Sequence, residues 1–148
     1  MYLLDTSILS ETSPAAKVSR AELGTWMAAA SPLLFLSVVT AAEIHSGIEK
    51  PARQGASRKA ALLGEWWAAV EHLYGERILP FDRDAARLAG ILIDRGRALG
   101  REVGFADVAI AATAARRGFT VLTRNVKDFE PLGVPCLNPL EALPPLER

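Results

Sequence analysis

The chain has 148 residues, 50% of them hydrophobic and 23% charged, with 17 basic and 17 acidic side chains and a formal net charge of +0. That length sets the expectation of a single domain over 1–148 with a buried core. The charge balance excludes any global electrostatic pull toward nucleic acid, so such binding must rest on local patches. The lone cysteine, Cys136, excludes an internal disulfide, no Cys/His metal spacing exists, and no window has the length of a membrane span.

The N-terminus lacks a basic leader region and runs straight into an apolar stretch, so no signal peptide and a cytoplasmic location are expected. Tyr2-Leu3-Leu4 is that stretch, a short buried strand ending on Asp5, Thr6 and Ser7. Residues 8–11 read as one helical turn, with Thr6 or Ser7 as its N-cap. A helix over about 15–30 follows, with Val18, Trp26 and Met27 as core contacts, and Ser31-Pro32 ends it. Residues 33–39 are apolar on both faces and suit a covered parallel strand.

Thr40-Ala41-Ala42-Glu43 opens the next helix, expected to end near Gly47, before a charged loop or frayed helix end over 49–55. The 57–74 stretch carries an apolar stripe including Trp66 and Trp67 at helical spacing, which points to core or dimer packing. A third strand over 78–81, an N-cap at Asp82 and a helix over 83–99 come next. A turn over 100–104 leads to a helix over 105–117, closed by Gly118. Residues 119–123 form a fourth strand, and 133–137 an edge strand in which Pro135 is tolerated. The proline-rich 137–148 segment is expected to be an exposed C-terminal tail. This alternation predicts a three-layer α/β domain with a mainly parallel central sheet.

Ligand sites in such sheets lie beyond the carboxyl ends of the strands. Asp5 ends strand one, Glu43 follows strand two, and Asp107 sits in the first turn of the helix at 105; Asn125 and Asp128 follow strand four. Carboxylates gathered at one end repel unless a cation separates them, and Mg²⁺ or Mn²⁺ favours oxygen donors of this kind. Two such ions about 3.5–4 Å apart can activate water for phosphodiester cleavage. Each residue also has a purely local role. Thr40-x-x-Glu43 matches a capping box, and Asp107 complements a helix dipole. Asp5 is harder to assign that way, since an apolar strand disfavours a buried aspartate.

His45 and His72 are lone histidines without ligand partners at suitable spacing, and Cys136 reads as an inert thiol. No phosphate-binding Gly-Lys-Ser/Thr loop and no nucleophile elbow are present. Basic residues cluster at Arg53, Arg58 and Lys59, at Arg95, Arg97 and Arg101, and at Arg116, Arg117, Arg124 and Lys127. Arg124 and Lys127 flank Asn125 beside the acidic end, where they can hold a phosphate backbone. A receiver-like signalling domain would also gather acids at strand ends, but its lysine after a late strand has no well-placed counterpart here.

Four motifs together resemble the PIN-domain ribonucleases, and among them VapC and FitB-like toxins of type II toxin–antitoxin systems. They are Leu4-Asp5-Thr6-Ser7; Val39-Thr40-Ala41-Ala42-Glu43-Ile44 with Gly47; Asp107 followed by Ile110-Ala111-Ala112-Thr113-Ala114; and Leu122-Thr123-Arg124-Asn125-Val126-Lys127-Asp128-Phe129. The resemblance implies a PIN-like fold and a Mg²⁺- or Mn²⁺-dependent endoribonuclease acting on RNA, tRNA included. It implies Asp5, Glu43 and Asp107 as metal ligands, and Thr6 or Thr123 as supporting hydroxyls. It also implies a homodimer and a cognate VapB-like antitoxin that blocks the site. Asn125 stands where the family often has aspartate, so Asp128 is a candidate substitute. The alternative is a non-catalytic PIN-fold module that binds RNA or protein.

Overall fold

The computed structural model describes residues 1–146. Its sheet has five strands, β1 (Tyr2–Leu4), β2 (Leu34–Ser37), β3 (Ile78–Leu79), β4 (Thr120–Leu122) and β5 (Cys136–Leu137), in the order β3-β2-β1-β4-β5. Every pairing is parallel; in register, Leu3 lies between Phe35 and Val121. β1 is central and wholly buried, which is why its three residues are all apolar.

Side chains alternate across the sheet, and the core divides accordingly. Tyr2 and Leu4 join a cluster with Trp26, Leu36, Trp67 and Val70. That side is closed by α1 (Thr6–Leu9), α2 (Ala21–Ala30), α3 (Val38–Arg53) and α4 (Ser57–Tyr74). Leu3 joins the opposite cluster with Leu92, Val108, Ala112 and Phe129, built on α5 (Arg83–Ala98), α6 (Phe105–Arg117) and α7 (Val126–Phe129). Small residues let α6 sit deep, and 108–114 are buried without a break. Gly118, at φ 68°, supplies the left-handed turn that ends it.

Several expected boundaries move. α2 starts at Ala21 rather than at 15, and Val18 is exposed. β2 stops at Ser37, whose hydroxyl accepts from the Val39 N–H and so caps α3. Helix α3 therefore begins two residues before Thr40, which rules out the alternative reading of Thr40/Glu43 as a capping box and places Glu43 past the first turn. The same helix runs past Gly47, where its end was expected, through Pro51 to Arg53, and Pro51 is buried. Asp5, not Thr6 or Ser7, caps α1.

The tail expected to be exposed has most of its described residues at the surface, and it is also pinned to the domain. Trp26 Nε1–H donates to the Pro144 carbonyl at 2.8 Å and the Tyr2 hydroxyl to that of Pro145 at 2.8 Å. Leu140 packs on the first core cluster. Two buried aromatic donors need acceptors, and the tail carbonyls provide them. Glu147 and Arg148, the end of that segment, lie outside the described residues.

Candidate active site

Because the strands are parallel, their carboxyl ends share one side of the sheet, and the chain leaves β1, β2 and β4 there as Asp5, Val38 and Thr123. Asp5 is buried, at 3% exposure, and such a charge is tolerable only when its oxygens are satisfied. Its Oδ1 accepts the Thr6 N–H at 2.8 Å. Its Oδ2 accepts two hydroxyls, Ser7 Oγ and Thr123 Oγ1, each at 2.8 Å. A carboxylate offers about four acceptor positions; with three filled, one on Oδ1 is left for an incoming donor or cation.

Thr6 ties Asp5 to Glu43. Its backbone N–H serves Asp5, while its hydroxyl donates to Glu43 Oε1 at 2.7 Å and lies 3.1 Å from Thr40 Oγ1. Thr123, fully buried, donates to Asp5 and accepts the Asn125 N–H at 2.9 Å. The Arg124 N–H donates to Ser7 Oγ at 3.2 Å. The ends of β1 and β4 are thus stitched through Ser7 and Thr123.

Asp107 completes the acidic group. Desolvation pushes its carboxyl up to about 6, and the charges of Asp5, Asp128 and Glu43 push in the same direction. This mutual repulsion is the electrostatic mark of carboxylates brought near one another from four parts of the chain. It fits hard oxygen donors awaiting a divalent cation. Among the described residues, however, no group of three or more His, Cys, Asp or Glu side chains is arranged to hold a metal ion by itself. The fold provides neighbouring carboxylates, not a closed cage.

The remaining expected residues divide. Asn125, exposed, makes no capping bond through its side chain at the start of α7. Asp128 is exposed and its N–H donates to the Asn125 carbonyl at 2.9 Å. Arg124 is not a free cation: its Nη1 donates to Glu11 Oε1 at 2.7 Å. Lys127 is exposed and, among the described residues, forms no ion pair.

The histidines and cysteine stay outside the site. His45 Nε2 accepts Trp67 Nε1–H at 3.1 Å, tying α3 to α4. Burial, with help from Glu130, pushes the Cys136 thiol up. Sequence reasoning missed Ser7 as a ligand of Asp5 and missed Glu11 altogether. Ser7 lies two residues after Asp5, a local spacing that could have signalled its bond, whereas Glu11 meets Arg124 across 113 residues.

The chain belongs to the PIN-domain family, whose model matches residues 2–132. It is similar to a VapC ribonuclease of Sinorhizobium fredii, at 36% identity over 95% of this chain and 99% of that one. It is also similar to toxin FitB of Neisseria gonorrhoeae, at 30% identity over 94% and 98% of the two chains. The crystal structure of FitAcB from Neisseria gonorrhoeae matches with a TM-score of 0.82 and 31% identity, covering 95% of this chain and 99% of that one. The family match over 2–132 takes in β1 to β4 and Asp5, Glu43, Asp107 and Asp128. Among the described residues, no helix is long and apolar enough to cross a membrane.

Proposed function

We propose that this chain is the toxin of a toxin–antitoxin pair and acts as a Mg²⁺- or Mn²⁺-dependent endoribonuclease, with tRNA among its candidate substrates. The observation that carries this reading is the join at the strand ends, where Thr6 bridges Asp5 and Glu43 and where Ser7 and Thr123 hold Asp5 Oδ2, in a chain of the PIN-domain family. Asp5 and Asp107 would hold the ion. When bound, it contributes Lewis-acid activation of water and charge stabilisation at the leaving oxygen.

The chain's own residues do the rest. Ser7 and Thr123 hold Asp5 Oδ2 fixed, so the carboxylate presents Oδ1. Thr6 occupies Glu43 Oε1, leaving Oε2 to orient the attacking water. Asn125 and Asp128 contribute polar contacts at the mouth, and Lys127, with Arg124 if released from Glu11, holds the RNA backbone. A homodimer and a VapB-like antitoxin that covers the acidic end accompany this reading, supported by relatives solved as toxin–antitoxin complexes such as FitAcB.

Expression in bacteria tests it. Wild type should arrest growth, Asp5→Ala should not, and the product of the adjacent short reading frame should rescue growth. A harmless wild type would count against the toxin. The rival reading, a non-catalytic RNA- or protein-binding module, is favoured by Asn125 in place of an acid. It predicts salt-dependent binding without cleavage products under any divalent ion.

A further inference from the structure

Glu11 lies on the 3₁₀ turn Ser10–Thr12 that follows α1, outside the acidic group. Its side chain is only 9% exposed and is held by two guanidiniums. Arg124 Nη1 donates to Oε1 at 2.7 Å, and Arg20 Nε donates to Oε2 at 3.3 Å. A nearly buried carboxylate with both oxygens paired is costly to assemble and rigid once made. Arg124 is the middle residue of the loop leaving β4. On one side of it, Thr123 donates to Asp5 Oδ2; on the other, the Asn125 N–H donates back to Thr123 Oγ1; its own N–H donates to Ser7 Oγ, which also donates to Asp5. The link from Glu11 to Asp5 thus runs from the ion pair through the Arg124 side chain and backbone, and then through hydroxyl hydrogen bonds.

We propose that Glu11 is a positioning residue for the site: its ion pair with Arg124 fixes the 123–125 loop, and through Thr123 and Ser7 it fixes the carboxylate of Asp5 and the place of Asn125. The inference rests on the metal-dependent reading above. It also reassigns Arg124, whose guanidinium serves the site by holding its own loop before it serves RNA. Arg20 shares Glu11 but makes no hydrogen bond to the loop, so it is the internal control.

The test compares wild type, Glu11→Gln, Arg124→Gln, the double variant and Arg20→Gln. Three readouts are used: Mn²⁺ affinity without RNA, amide hydrogen exchange over 123–126 in metal-free protein, and kcat and KM for RNA cleavage. Loss of a partner that orients a metal ligand costs about 10–100-fold in metal affinity or activity. Glu11→Gln should therefore weaken Mn²⁺ binding by about tenfold, raise exchange at 123–126 and lower kcat by a similar factor, with KM little changed. Arg124→Gln should weaken Mn²⁺ binding equally, the double variant should be no worse than either single one, and Arg20→Gln should bind Mn²⁺ like wild type. Wild-type Mn²⁺ affinity and exchange in Glu11→Gln would overturn the proposal, whatever its melting temperature, as would an equal loss in Arg20→Gln. A wild type that cuts no RNA sinks the nuclease reading alone, because the exchange and Mn²⁺ comparisons still decide for or against the clamp.

Discussion

The Thr6 hydroxyl donates to Glu43 Oε1 at 2.7 Å while the Thr6 N–H donates to Asp5 Oδ1 at 2.8 Å, so one residue couples the carboxylates that follow β1 and β2. Valine keeps the shape and the N–H but deletes the hydroxyl. Thr6→Val should leave Asp5 in place and free Glu43, lowering RNA cleavage more than stability. The expected stability loss is about 1 kcal/mol, the net worth of one hydrogen bond at a partly exposed site. Thr6→Ser should retain activity. Paired melting and cleavage assays check this; equal activity in Thr6→Val and wild type would detach Thr6 from the site.

Asp107 makes stability depend on pH. In the unfolded chain its carboxyl releases its proton near 3.8, whereas in the folded chain it does so at about 6. Between those values the folded state binds more protons, so metal-free stability falls as pH rises through that window. Asp107→Asn removes the penalty. With the shift discounted for a half-exposed group, the variant should be more stable than metal-free wild type by about 1 kcal/mol at pH 7, and the advantage should vanish below pH 4. Thermal melts in chelator at pH 4, 5 and 7 measure it; a gap that does not change with pH would contradict the prediction.

Asn125→Asp adds a charge beside the acidic group. Metal-free stability should fall, the Asp107 carboxyl should rise further, and Mn²⁺ affinity should increase by up to about tenfold, since affinity follows the charge of the ligand set. Isothermal titration with Mn²⁺ checks it. Unchanged affinity would place residue 125 too far from the ion to matter.

The pinned C-terminal segment gives a stability prediction away from the site. Trp26→Phe keeps most of the packing but orphans the buried Pro144 carbonyl. The cost should be about 1–2 kcal/mol, the desolvation of an unpaired acceptor, with cleavage unaffected. Chemical denaturation of the two proteins measures it; no change in midpoint would show that the Trp26–Pro144 bond contributes nothing.

Much of this architecture is legible in the sequence because its signals are local. Tyr2-Leu3-Leu4 before Asp5, the periodic stripe of α4 and the Gly118 stop are each readable within a few residues. The starts of α1 and α3 were misread because local caps, Asp5 and Ser37, took the ends of those helices. Ser37 takes the cap of α3, so Thr40 is free to meet Thr6 from 34 residues away. The candidate acids were legible as residue types at strand ends, but their support was not. Glu11 meets Arg124 across 113 residues, a contact no spacing rule reaches. The pinning of the tail was not legible for the same reason: proline-rich composition describes the segment, not the Trp26 and Tyr2 donors that meet its carbonyls.

The account stands on the acidic group working as one metal-dependent nuclease centre, and RNA cleavage by purified wild type, Asp5→Asn and Asp107→Asn in Mg²⁺ and in chelator tests that most directly. Cleavage by wild type in Mg²⁺ alone, with both variants folded but inactive, is the predicted result. Cleavage that persists in chelator, or in either folded variant, would contradict it.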